Sequence, residues 1–408
     1  MNLLFETQQI ILNQFLSRDF YPRDLMQKIT LDNHITGIFG GRGVGKTTLL
    51  LKLALTHGAH EGQALYASAD HMYFLDHNLL DLVDQLYKET DVRLICIDEI
   101  HKQEHWQRLL KNTADIYPDM KIVFTSSSRI DLIHSQYDLS RRVTLHELPG
   151  LSFREYLAFF HQIKLSIENL ETLLNSNLDI KISQEVPQIL KFFKTYLKNG
   201  YYPFSRNFTQ DFDFFQALNH TVQKTIYEDI ATLHALKTPT LLILEKLYRY
   251  TLTLTPGQLS VNKLANALNK DFSDISDYLK ILEQAGLIRF LFSSQTGKAA
   301  LRNPNKIFPE NSNLIYANLS GNSDLDALGM IRETFALSHL QAAKIHTTYP
   351  KQGDLELQKD TQSYILEIGG KNKTTEQIDS LPNGFVFKEG ILTGRGKTRP
   401  LYLLGFLY

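Results

Sequence analysis

Eight residues, Gly40-Gly41-Arg42-Gly43-Val44-Gly45-Lys46-Thr47, constrain this 408-residue chain more than any other stretch. They fit the pattern G-x-x-x-x-G-K-[ST] at every defined position. Glycines there admit left-handed backbone and let successive N–H groups converge on one anion. The flanks agree. Ile35-Thr36-Gly37-Ile38-Phe39 is short, apolar and partly β-branched, as in a buried parallel strand, and residues 48–55 read as a helix. Strand, glycine-rich loop and helix amino terminus, in that order, make a phosphate cradle. Gly40, Gly41, Arg42, Gly43, Val44, Gly45, Lys46, Thr47 and Thr48 are therefore the expected nucleotide-binding residues. Lys46 is expected to reach the β- and γ-phosphates, and the Thr47 hydroxyl to ligate Mg²⁺. ATP is favoured over GTP, because no Asn/Thr-Lys-x-Asp guanine reader is visible.

A chain of this length holds two to four domains, each able to bury a core. Hydrophobic residues make up 43% and charged residues 21%, with a net charge of −1. No global field draws such a chain to nucleic acid or membrane, so any DNA contact needs a local patch. Cys96 is the single cysteine, which excludes an internal disulfide and a multi-cysteine metal site. The 14 histidines show no zinc spacing. With no basic leader at Met1-Asn2-Leu3 and no long apolar run, a cytoplasmic location without membrane contact is expected.

Apolar runs alternate with helical patterns through the first part of the chain. The segment up to about Asp32 reads as helical, with Gln8, Gln9, Ile10, Ile11, Leu12, Phe15 and Leu16 on its stripe. Strands are expected at 64–70, 94–97, 121–125 and 142–148, with helices at 79–87 and 106–115. That alternation calls for a parallel sheet between layers of helices. Asp98 and Glu99 close the third strand, at the carboxyl edge where such sheets place ligands. Asp98 is expected to orient a water on Mg²⁺, and Glu99 to polarise the water that attacks the γ-phosphate. The next strand runs into Ser126-Ser127-Ser128, where Ser126, then Ser127, are candidates to bond that water. Of Arg129, Arg141 and Arg142, Arg142 is the favoured arginine finger.

From Ser152 onward the chain turns helical and rich in Leu, Phe and Tyr, with breaks at Asn199-Gly200 and Pro203. Residues 241–250, 260–269 and 273–285 read as three helices, and 287–292 as a strand, the outline of a winged helix. Asp271, Asp274 and Asp277 lie in the first turns of the third helix and oppose a phosphate backbone. Lys263, Lys270, Lys280, Arg289, Lys298 and Arg302 are the candidates for a basic edge nearby, and a structural or protein-contact role is preferred over DNA binding. Further on, Asp354 and Glu367 sit on two short strands and Glu333 on a helix, the skeleton of a PD-(D/E)xK nuclease site. The usual lysine position is Gly369; Lys371 is the candidate to swing in from two residues away, and Gln377 to follow on the next helix. A fold kept without nuclease activity is the preferred reading. The apolar terminus 401–408 is expected to pack as a last strand.

Gly40 to Thr47, residues 94–100, Thr125-Ser126-Ser127-Ser128 and residues 148–157 together resemble a bacterial and archaeal family of AAA-like ATPases. Its members join an AAA-plus-type ATPase domain to a C-terminal domain of unknown function with a restriction-endonuclease-like fold. Ser126 stands where that family usually has glycine, and Arg141 replaces the glycine of its Gly-Arg pair. The Glu-Ile-Gly-Gly-Lys run resembles one branch of the family. With the pattern of elements, the expected division is a five-stranded P-loop ATPase domain at 1–155, a helical lid at 156–235, a winged-helix-like domain at 236–300 and, as the resemblance implies, the endonuclease-like domain at 301–408. The resemblance permits ring or filament assembly. Three functions follow as expectations: an Mg²⁺-dependent ATPase moving its C-terminal domains, a nucleotide-gated scaffold for an unknown protein partner, or an ATP-dependent nuclease.

Overall fold

The computed structural model describes residues 1–17, 20–127, 142–175, 177–253, 260–293, 304–319, 324–359 and 362–408, the side chains of 324–326 excepted. Arg129, Arg141, Ser128, Lys298 and Arg302 lie outside the described residues. The chain divides into two compact units, 1–149 and 150–408.

In the first unit β1 (Ile35–Phe39), β2 (Ala64–Ser68), β3 (Leu94–Asp98), β4 (Lys121–Ser126) and β5 (Val143–Glu147) form one sheet. Its order is β2-β3-β4-β1-β5, and every pairing is parallel. Parallel neighbours need crossovers, supplied here by helices. The principal helices are α1 (Asn2–Leu16), α2 (Lys46–Thr56), α3 (Leu79–Glu89) and α4 (Trp106–Ile116). α3 opens on a capping box in which Asn78 and Asp81 exchange bonds with each other's backbone N–H. Strand ends match the sequence reading to within two residues.

Two features of this core were not in the pattern. Gly37, in mid-β1, leaves room for its neighbours: a Cβ there would lie 2.6 Å from both the Phe124 ring and Leu145. Phe124 in turn packs on Trp106, ring centroids 5.6 Å apart. α1 also ends at Leu16, short of the expected Asp32, and only part of the expected stripe is buried. Gln8 and Leu12 are buried together with Leu4, whereas Ile10 and Leu16 are exposed. Gln8 is buried because it has backbone partners: its amide donates to Ala59 O at 3.2 Å, and its oxygen accepts from the Tyr66 N–H at 2.5 Å. A polar side chain satisfied on both sides can be buried without loss.

The second unit begins with a further capping box, Ser152 with Glu155, at the head of α5 (Phe153–His161). Its other helices include α6 (Ile189–Thr195), α7 (Asp211–Lys224), α8 (Thr238–Thr251), α9 (Val261–Leu268), α10 (Phe272–Gln284) and α11 (Asp324–Ala342). After α10 the antiparallel pair β6 (Ile288–Leu291) and β7 (Lys306–Pro309) closes the expected helix-helix-helix-strand outline. β8 (His346–Thr348), β9 (Leu355–Lys359), β10 (Gln362–Gly369), β11 (Gly384–Lys388) and β12 (Thr398–Pro400) form a mixed sheet in the order β12-β11-β10-β9-β8. The carboxyl-terminal run is not a strand. Leu401–Phe406 is a buried 3₁₀ turn, and Gly405 there sits so near Phe153 that a Cβ would lie 2.4 Å from that residue's Cβ.

Aromatic rings dominate this second core. Phe193 meets Phe335 edge-on at 4.9 Å and Phe153 at 5.2 Å. His339 is sealed among them, its Nε2 3.0 Å from the Tyr196 hydroxyl and its Nδ1 2.9 Å from Phe335 O. Burial pushes its pKa down to about 3, with the Arg289 charge adding to the effect and the bond to Phe335 O opposing it. Because the folded value lies below the ordinary 6.5, the unfolded chain takes up the proton first. The stability from the neutral ring is thus full above pH 6.5 and is lost as pH falls. Hydrogen exchange of the 335–340 amides should report up to about 2 kcal/mol less protection at pH 5 than at pH 6.5. A His339→Gln variant should give the flatter profile.

Candidate functional site

The carboxyl ends of β1, β3, β4 and β5 meet in the first unit, and the expected site residues meet there. Phe39 runs straight into Gly40, which cannot carry a side chain because a Cβ would lie 2.2 Å from Leu148 O. Leu148 N–H donates to Phe39 O at 2.7 Å, so the segment after β5 backs the start of the loop. Gly43 and Gly45 adopt φ of 84° and 102°, conformations that strain any side chain, and α2 begins at Lys46. Buried Val44 anchors the loop from beneath. Arg23 fixes it from the side, donating to Val44 O at 3.1 Å and Pro149 O at 2.8 Å.

Lys46 donates to Gly40 O at 2.8 Å and Gly41 O at 3.0 Å, its ammonium held over the loop it belongs to. Thr47 and Thr48 are exposed at the head of α2. The Thr47 hydroxyl donates to Asp98 Oδ2 at 2.6 Å. A hydroxyl and a carboxylate oxygen in contact at the end of a phosphate cradle are a hard-oxygen pair suited to Mg²⁺. Buried Asp98 accepts two further bonds, from the Thr125 hydroxyl on Oδ1 and from the Tyr66 hydroxyl on Oδ2 at 3.3 Å. Burial and the Asp98 charge raise the Tyr66 pKa far above its ordinary value, so the phenol keeps its proton. Glu99 follows with φ 53° and ψ 47°, a left-handed conformation that costs a non-glycine residue about 1–2 kcal/mol. Its N–H donates to Thr125 Oγ1 at 2.9 Å.

The remaining sequence candidates fall differently. Ser126 is the last residue of β4, fully buried and in register with Phe39 of β1, beside the start of the loop. Ser127 is buried too, with no partner for its hydroxyl among the described residues. The strand-end hydroxyl that engages Asp98 and Glu99 belongs to Thr125, a residue outside the expected set. The signal available in the sequence was its polarity within an apolar strand. Arg142 does not join the site within this unit. It precedes Val143, which pairs with Ile35 at the far end of β1, roughly 16 Å of strand from the loop. Its guanidinium pairs there with Asp115 at 2.7 Å. His101 is buried in the short turn Ile100–Lys102.

The expected carboxylate cluster of the second unit forms, but with other lysines. Asp354 precedes β9, its N–H on Leu366 O at 2.9 Å and its Oδ2 accepting from Ile368 N–H at 2.8 Å. The Lys306 ammonium, buried on β7, lies 3.2 Å from Glu333 Oε2 and 4.0 Å from Asp354 Oδ1. Lys373, not Lys371, pairs with Glu367; Lys371 is exposed beyond the bend at Gly369-Gly370. Gln377 lies in a turn rather than a helix. With its amide oriented to suit the network, it donates to the two Glu367 oxygens at 3.1 and 2.6 Å. Burial, with Asp354 adding and Lys306 opposing, pushes the Glu333 carboxyl up to about 7. No group of three or more His, Cys, Asp or Glu among the described residues is arranged to hold a metal ion.

The basic edge expected near α10 is also reduced. Arg289 is buried and pairs with Glu310 and Gln341, and Lys280 pairs with Asp277 at 3.0 Å. No helix among the described residues is long and apolar enough to cross a membrane.

Residues 32–157 match the family model described as an AAA domain, and residues 190–324 match one described as a domain of unknown function. An uncharacterized protein of Methanocaldococcus jannaschii is 30% identical over 289 residues, which cover 66% of this chain and 59% of that protein. The chain thus spans about three fifths of that relative's length. AMPPCP-bound DnaA of Aquifex aeolicus is 18% identical, covering 64% of this chain and 85% of its own, with a TM-score of 0.25. The Hsp104–ADP complex of S. cerevisiae is 13% identical, covering 69% of this chain and 39% of its own, with a TM-score of 0.27. The first unit, with its AAA match and its parallel five-stranded sheet, is a P-loop NTPase domain of the α/β class.

Removing one partner of a buried ion pair leaves a charge uncompensated, at a cost of about 3–5 kcal/mol. Lys306→Met should therefore destabilise the second unit by about that much in urea unfolding, and adding Glu333→Leu should restore most of it. Lys371→Met, at an exposed position, should stay within about 0.5 kcal/mol of the parent.

Proposed function

We propose that the first unit binds ATP with Mg²⁺ and hydrolyses it, and that the cycle repositions the second unit. The observation that carries this reading is the Thr47–Asp98 bond, which joins the phosphate loop to the carboxylate beside Glu99. The glycine cradle and the head of α2 would take the β- and γ-phosphates, with Lys46 leaving its carbonyl partners to pair with them. Thr47 and Asp98 would hold Mg²⁺, which when bound supplies charge neutralisation on the phosphate oxygens. Glu99, half-buried at the same sheet edge, would accept the proton of the attacking water.

Two alternatives are weaker. A nucleotide-gated scaffold for a protein partner uses the same site without turnover, and the presence of Glu99 beside Asp98 favours turnover. A nuclease centred on Asp354, Glu367 and Glu333 is disfavoured because Lys306 and Lys373 already neutralise those carboxylates. The winged-helix outline of α8, α9, α10, β6 and β7 is better suited to protein contact than to DNA, given Asp271, Asp274 and Asp277 on α10 and the inward pairing of Arg289. Cytoplasmic location and self-assembly belong to the same proposal.

Phosphate release should be lost in Lys46→Ala together with most nucleotide affinity. In Glu99→Gln it should fall by about 10²–10⁴-fold while fluorescent ATP still binds. Unchanged turnover in Glu99→Gln would remove Glu99 from the role of base.

A further inference from the structure

We propose that Thr125 is a positioning residue that ties the metal-side carboxylate Asp98 to the base Glu99 through one hydroxyl group, an inference that rests on the ATPase reading. A threonine hydroxyl has one proton to give and lone pairs to receive with. Here the proton goes to Asp98 Oδ1, and a lone pair takes the Glu99 N–H at 2.9 Å. The two bonds act on different things. The first fixes the rotation of the Asp98 carboxylate, leaving Oδ2 to Thr47 at 2.6 Å and Tyr66 at 3.3 Å. The second restrains the backbone of Glu99, whose left-handed conformation sets the direction in which its side chain leaves the strand.

The hydroxyl is well placed to stay where it is. Thr125 is wholly buried in β4, in register with Ile38 of β1, and β4 pairs with β3 along 94–97. A β-branched side chain in a strand has few rotamers, so the Oγ1 position is set by the sheet itself. Any change in the register of β3 against β4 would therefore break both bonds at once. Asp98 and Glu99 are adjacent in sequence and do different work; Thr125 is the group that makes their geometry a single quantity.

The test uses the full chain with Thr125→Val, Thr125→Ala and Thr125→Ser. Val keeps the shape and Ala leaves a space, so either folded variant lacking the hydroxyl suffices, and Ser keeps the hydroxyl. Loss of the hydroxyl should lower kcat about 10–100-fold and raise the Mg²⁺ concentration for half-maximal turnover. Affinity for fluorescent ATP in EDTA should stay within about threefold, since the phosphate loop is untouched. Ser should recover turnover to within about threefold of the parent. Parent-like kcat and Mg²⁺ dependence in Val or Ala would overturn the proposal, as would a Ser variant as slow as Val. Should the parent itself show no turnover, the hydrolysis reading fails separately. The Mg²⁺ dependence of nucleotide binding then decides: a rise in Val or Ala upholds the positioning role, and no change overturns it.

Discussion

The Asp98 carboxylate is the point on which the nucleotide unit depends. It accepts from Thr47 at the head of α2, from Tyr66 on β2 and from Thr125 on β4, so groups from three elements converge on its two oxygens. That convergence exists only because β3 lies between β2 and β4, with β4 next to the loop-bearing β1. The parallel sheet brings every strand's carboxyl end to one edge, and the order decides which polar ends become neighbours. A buried carboxylate with fewer partners would carry an uncompensated desolvation cost. Satisfied as it is, the Asp98 carboxylate sits beside the phosphate loop with its direction fixed.

The same reasoning explains which parts of the site were legible in the sequence. The glycine loop, Lys46, Thr47 and the Asp98-Glu99 pair are contiguous motifs, each carrying its chemistry within a few residues of its strand. Thr125 and Tyr66 act from 27 and 32 residues away, across strand neighbours that no local pattern encodes. Ser126 and Ser127 stand out as a polar run, whereas Thr125, whose hydroxyl bonds both Asp98 and Glu99, is hidden in an otherwise apolar strand. Arg142 stands at the amino end of β5, away from the site of its own unit, because proximity to a strand says nothing about which end of it faces the site. In α1 the stripe was legible only in part: Gln8 and Leu12 face the core, while Ile10 and Leu16 do not, and Gln8 is tolerated there because it has two backbone partners.

In the second unit the carboxylates were legible and their counter-charges were not. Lys306 comes from β7 and Lys373 from a turn past a double glycine, where Gly369 has no room for a side chain: a Cβ there would lie 2.6 Å from Lys373. That closeness is why the ammonium two residues beyond Lys371 is the one that reaches Glu367. Three carboxylates and two ammonium groups, buried or partly buried, form an arrangement whose charges largely answer one another. Such a cluster specifies packing rather than inviting a cation, because any incoming ion must first displace a lysine already paired.

The two ion arrangements therefore have opposite thermodynamic character. At the sheet edge of the first unit, strain and provisional contacts accumulate: left-handed backbone at Gly43, Gly45 and Glu99, and a Lys46 ammonium resting on carbonyls of its own loop. Bonds from an ammonium to neutral carbonyl oxygens are weaker than bonds to phosphate, so a bound triphosphate replaces them at a gain. Local strain persists at such a site because the surrounding sheet over-determines it. The ion cluster around Lys306 has no comparable reserve, since its ammonium groups already pair with carboxylates rather than with neutral carbonyls. A ligand that changes the state of this protein has the most to gain at the glycine loop, and it is there that the fold holds Asp98, Glu99 and Thr125 within bonding distance of one another.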